Sequence, residues 1–149
     1  MSTISKPIDP PVISLTSTGV IVSTPSLPDT DIVVAGDPVS FTLNLDITGF
    51  PFIVALLANE PVEVRHHVVN VENGSRFTLG PFPFVTPSPI TGPFSFITGP
   101  FPTGGATQFP LAAGDDDALY QVFTEFHFTV PGAKEISAFD DRVLAITAP

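Results

Sequence analysis

The sequence predicts an all-β protein built as a two-layer antiparallel sandwich, and three observations carry that expectation. Residues 39–48 alternate without exception, with Val39, Phe41, Leu43, Leu45 and Ile47 set against Ser40, Thr42, Asn44, Asp46 and Thr48. Such alternation places one face of a strand in a core and the other in water. Other β-branched and aromatic runs recur at intervals of roughly ten residues between turn-forming Pro, Gly, Asn and Asp, the spacing of a sandwich. No stretch carries a sustained apolar stripe at helical spacing, so little or no α-helix is expected.

Composition fits one folded domain. The 149 residues are 43% hydrophobic and only 13% charged. A chain of this kind buries a core and is not compositionally disordered, despite 18 Pro and 11 Gly. Cysteine is absent, so no disulfide supports the fold. Five Lys+Arg against 15 Asp+Glu give a net charge of -10, which repels a phosphate backbone and argues against nucleic-acid binding. The first residues show neither a basic n-region nor an apolar h-region, so no signal peptide is expected. No apolar run reaches the roughly 20 residues of a membrane helix. These features predict a cytoplasmic protein, or one exposed on a surface or virion by a non-classical route.

The elements follow in order. Residues 1–11, with Pro7, Pro10 and Pro11, read as an extended arm preceding a domain at 12–149. Residues 12–24 read as two short strands or one kinked at Gly19. Residues 25–31 form a loop, and 35–38 turn into the alternating strand. Residues 52–58 are apolar on both faces, as in a central strand. In 61–71, Val62, Val64, His66 and Val68 share one face while Val69 and Val71 take the other, which suggests a bulge near His67-Val68. Asn73-Gly74 is a hairpin signal; with Ser75 it also spells a glycosylation sequon, which the turn explains better. Residues 80–105 are biased: Gly-Pro-Phe occurs at 80–82, 92–94 and 99–101. Proline this dense excludes central strands, so we expect a long ordered Phe/Pro/Gly-rich excursion with short extended pieces. Residues 119–130 alternate again. The segments 135–139 and 142–147 are expected to pair as a hairpin across Asp140-Asp141.

From about residue 12 to 147 this arrangement resembles an immunoglobulin- or fibronectin-type fold. The resemblance is architectural and carries no specific motif. The Cys pair and buried Trp of antibody domains are absent, and Tyr120 matches a tyrosine corner only by loose analogy.

Candidate chemistry is thin. A metal site would need His127 beside His66 or His67, with Glu63 or Glu125; adjacent His66 and His67 face opposite ways on a strand. Asp115, Asp116, Asp117, Asp140 and Asp141 are weak candidate calcium ligands in turns, but the D-x-D-x-D-G order of a calcium loop is missing. Glu63, Glu125 and Asp46 could supply a hydrolytic carboxylate pair, yet nothing local selects them. There is no G-x-S-x-G elbow, no H-E-x-x-H and no phosphate loop. The reading leans away from catalysis, and no cofactor is expected.

Phe82, Phe84, Phe94, Phe96 and Phe101 are the residues singled out. They are either a satellite core or an apolar patch for self-association. Because charge is so sparse, the expected role is a non-catalytic structural or self-assembling sandwich, a homo-oligomer or a subunit with an assembly partner. A ligand-binding sandwich, calcium-assisted and carbohydrate-directed, is the alternative, and a hydrolase comes third.

Overall fold

In the computed structural model, which describes residues 13–111, 117–129 and 137–149, the alternating runs become strands. Eight strands and one short helix occur among these residues: β1 (Ile13–Ser23), β2 (Ile32–Val34), β3 (Val39–Gly49), α1 (Pro51–Leu56), β4 (Pro61–Asn70), β5 (Arg76–Val85), β6 (Phe94–Phe101), β7 (Asp117–Phe128) and β8 (Ser137–Thr147). The expected arm at 1–11 lies outside the described residues. One sheet has the order β1-β3-β6 and the other β2-β8-β7-β4-β5. All pairings are antiparallel except β2 with β8. The two sheets pack into an all-β sandwich, and neither closes into a barrel.

The core follows from the alternation. Val39, Phe41, Leu43, Leu45 and Ile47 are buried on β3, while Val62, Val64, His66 and Val68 on β4 and Tyr120, Val122, Thr124, Phe126 and Phe128 on β7 face them. Val20 and Val22 of β1 and Leu144 and Ile146 of β8 complete the layer. Gly19 kinks β1 at φ +133, beside a register shift between Ser17 and Gly19. β1 and β8 lie side by side at the sandwich edge. There Arg142 donates from Nη1 to the Val20 carbonyl at 2.6 Å and holds Asp31 and Asp29 at 2.7 and 2.9 Å. Burial opposes the guanidinium charge, but the two aspartates outweigh it and raise its pKa further.

Three expectations are corrected. Residues 51–56 form a helix, not a central strand: Pro51 sits in its first turn, where a missing N–H costs nothing. A short apolar run fits either element by pattern alone. The bulge expected at His67-Val68 is not in β4, which pairs with β7 in unbroken register from Val62 to Asn70; the register slip beside His66 has its extra residue across in β5. Val69 and Val71 simply point outward. Asp140-Asp141 is not a turn but lies within β8. Both carboxylates have partners there: Asp140 accepts from Ser17 Oγ at 2.8 Å and Asp141 accepts from Gln121 Nε2 at 3.1 Å.

Most of segment 80–105 pairs as edge strands, which is where proline is tolerated. Two Gly-Pro-Phe copies do the same work. At Gly80-Pro81 the β4–β5 register slips between Val64 and His66, and at Gly99-Pro100 the β3–β6 register slips between Val39 and Phe41. Gly80 and Gly99 have φ of +101 and +106, and a Cβ on either would lie 2.9 Å from a neighbouring strand carbonyl. The bulges return Phe82 and Phe101 to the core side, where their rings meet at 5.7 Å. Gly99→Ala is therefore expected to destabilise the fold by about 2 kcal/mol. Urea denaturation checks this, and a loss below about 0.5 kcal/mol would contradict it.

Candidate interaction surface

The phenylalanines singled out from sequence face inward. Phe84 stacks on Phe96 at 4.6 Å, Phe96 on Phe126 at 5.9 Å, and Phe94 meets Phe96 edge-on at 5.5 Å. Phe96 is buried, while Phe82, Phe84, Phe94 and Phe101 are partly buried and packed on the core. Together they close the side of the sandwich between edge strands β5 and β6.

The three histidines do not converge. His66 is fully buried between the sheets. Its Nε2 lies 2.6 Å from Thr98 Oγ1 on β6 and its Nδ1 2.7 Å from Thr124 Oγ1 on β7. Thr98 donates its own hydroxyl to the Phe41 carbonyl, so its oxygen accepts from Nε2–H, and Nδ1 accepts from Thr124. Desolvation, with His67 nearby, lowers the His66 pKa to about 4, so the ring is neutral and pins one sheet to the other. His67 and His127 lie on the opposite, outer face of the five-stranded sheet. His67 contacts Glu125 at 2.9 Å and His127 contacts Glu63 at 3.2 Å. His67 sits opposite Phe123 in the ladder and His127 opposite Glu63, which separates the two histidines by roughly 13 Å along β7.

The acidic candidates are also dispersed. Asp115 and Asp116 lie outside the described residues. Asp117 pairs with Thr147 and Asp141 with Phe123, so they stand roughly 20 Å apart along β8. Among the described residues no three His, Asp or Glu side chains stand close enough to hold a metal ion. Asp46 belongs to the other sheet, away from Glu63 and Glu125. No helix among the described residues is long and apolar enough to cross a membrane.

What distinguishes this molecule is the contrast between its two outer faces. The outer side of β1-β3-β6 carries Ser14, Thr16, Thr42, Asn44, Asp46 and Ser95, with Ile21 and Ile97 the apolar exceptions. The outer side of the five-stranded sheet exposes Ile32 at 55%, Val143 at 47% and Phe139 at 62%. Val34 and Val71 add to it, and Val69, Leu119 and Phe123 are half-exposed beside them. Phe123 and Phe139 stack across β7 and β8 at 6.0 Å. Next to them a shallow depression of about 650 Å³ is lined by His67, Arg76, Thr78, Gln121 and Phe123. Sequence reading missed this face because its apolar positions were scattered over four strands. Val69 and Val71, assigned to a bulge, were the available signal.

Comparison with known proteins finds no matching family and no matching curated protein.

Proposed function

We propose that this chain is a non-catalytic structural module that self-associates, built on an immunoglobulin- or fibronectin-like sandwich. The observation that carries the functional reading is the contrast between a Ser/Thr-rich outer face and an opposite face presenting Phe123, Phe139, Val143 and Ile32. Antiparallel sheets of a lone sandwich expose polar outer faces, and large apolar side chains gathered on an outer face mark an interaction surface. The histidine–carboxylate pairs on that face are mutually satisfied and open to water, which favours a contact role over catalysis.

The immunoglobulin-like reading is supported by the strand order and by the short β2, which crosses from the β1 edge to run parallel with β8. It is supported also by Tyr120 near the start of β7, whose hydroxyl donates to the Pro110 carbonyl at 2.7 Å, the geometry of a tyrosine corner.

Sedimentation velocity over a concentration series tests the functional reading. The expected result is a species heavier than the 15.7 kDa chain that grows with concentration. A single monomeric boundary throughout would refute it.

A further inference from the structure

Building on the self-association reading, we infer that the occupant of the exposed sheet face is a second copy of this chain. The two five-stranded sheets pack outer face to outer face about a two-fold axis. The first argument is area. Four long strands spaced ~4.8 Å apart and ~33 Å long present on the order of 600 Å² in projection. The corrugated accessible surface is larger, near the ~800 Å² per partner of a standard stable interface.

The second argument is charge. A chain of net charge -10 repels its own copies over most of its surface. The outer face of the five-stranded sheet is nearly balanced. Arg65 and Arg76 stand there against Glu63, Asp117, Glu125 and Asp141, so +2 and -4 sum to -2, leaving -8 for the remainder of the chain. Two of the three arginines among the described residues lie on this face. Arg65 holds Glu63, and Arg142 elsewhere holds Asp29 and Asp31. Arg76, at the rim of the depression, has no carboxylate partner among the described residues. A face carrying both signs is self-complementary under a two-fold axis, because each copy offers its arginines to the other's carboxylates. The apolar centre, Phe123, Phe139 and Val143, then supplies the desolvated middle of the contact.

The competing apolar surface is weaker on both counts. Phe50, Phe52 and Leu56 are 56%, 71% and 70% exposed around α1, but that element is six residues long and brings no cation.

Light scattering coupled to size-exclusion chromatography tests the inference, using wild type, Phe139→Asp/Val143→Asp, Arg76→Glu and Phe52→Asp/Leu56→Asp. Wild type is expected at twice the 15.7 kDa chain mass. Phe139→Asp/Val143→Asp is expected at the monomer mass with a cooperative melting transition retained, because both side chains point away from the core, and with its midpoint lowered by the loss of the dimer. Arg76→Glu is expected to weaken association about tenfold at low salt, counted once per copy, and added salt restores part of the loss. The α1 variant is expected to remain dimeric. A wild-type oligomer that survives the sheet-face substitutions overturns this inference and leaves the self-association reading standing. A monomeric wild type overturns both.

Discussion

Acidification from pH 7 to pH 4 is expected to remove about 3 kcal/mol of folding stability through His66 alone. The unfolded imidazole titrates near 6.5, whereas burial between the sheets lowers the folded value to about 4. Above 6.5 the ring is neutral in both states and the full stability is present. Between 6.5 and 4 the unfolded chain takes up a proton that the folded chain excludes, so stability falls with pH. Below 4 both states are protonated and the loss is complete. The hydrogen bonds explain why a proton is unwelcome: Nδ1 is occupied as an acceptor from Thr124. Protonation would turn that nitrogen into a donor and bury a charge amid Phe41, Phe82 and Phe101. The control is His66→Phe, which keeps a ring against Phe41 and removes the titration. The stability difference between wild type and variant should shrink steadily between pH 7 and pH 4. A difference constant across that range would show that His66 does not carry the effect, whatever the other histidines do.

Removing the Phe109 ring is expected to cost about 3–5 kcal/mol, as much as a central core position. Phe109 belongs to no strand, yet it is completely buried. The connection from β6 to β7 turns it inward at the end of the sandwich opposite α1. There its ring meets Phe77 at 5.2 Å and Tyr120 at 5.3 Å, both edge-on. The backbone is fixed around it: Gly104 N–H donates to the Phe109 carbonyl at 2.7 Å, and Tyr120 ties the next residue, Pro110. The segment thus acts as a plug closing the core between β3, β5 and β7. Phe109→Ala leaves a ring-sized void lined by aromatics that cannot collapse without moving Tyr120. Exposed Gln108 is the control, and Gln108→Ala should change stability by less than about 0.5 kcal/mol. A Phe109→Ala loss below about 1 kcal/mol in urea denaturation would show that the plug is dispensable.

The strands were legible where one face is buried and the other wet. β3 and β7 could be read residue by residue because alternation records that asymmetry directly. Pattern alone was insufficient in three places. At Pro51–Leu56 the apolar run fits a strand or a helix, and the proline that disfavours the first opens the second. At Asp140-Asp141 the turn propensity is local, while Ser17, the partner of Asp140, lies 123 residues away. In the Gly-Pro-Phe repeats the proline correctly excluded central strands. That two copies would form matching bulges depends on pairing with β3 and β4, which no local window contains. The candidate surface was the least legible part. Phe82, Phe84, Phe94, Phe96 and Phe101 drew attention by density, but density does not say which side a ring takes. Phe123, Phe139 and Val143 come together only because β7 and β8 are neighbours in one sheet. Tyr120, matched to a tyrosine corner only by loose analogy in the sequence, is fully buried with its hydroxyl tied to the Pro110 carbonyl.

The central claim is that the outer face of the five-stranded sheet is covered in solution. Hydroxyl-radical footprinting of the wild-type protein at low and high concentration tests it most directly. The account predicts that labelling of Phe123 and Phe139 falls sharply as concentration rises, while Phe52 on α1 and Ile97 on the opposite outer face label equally throughout. Equal labelling of Phe123 and Phe139 at every concentration would contradict it.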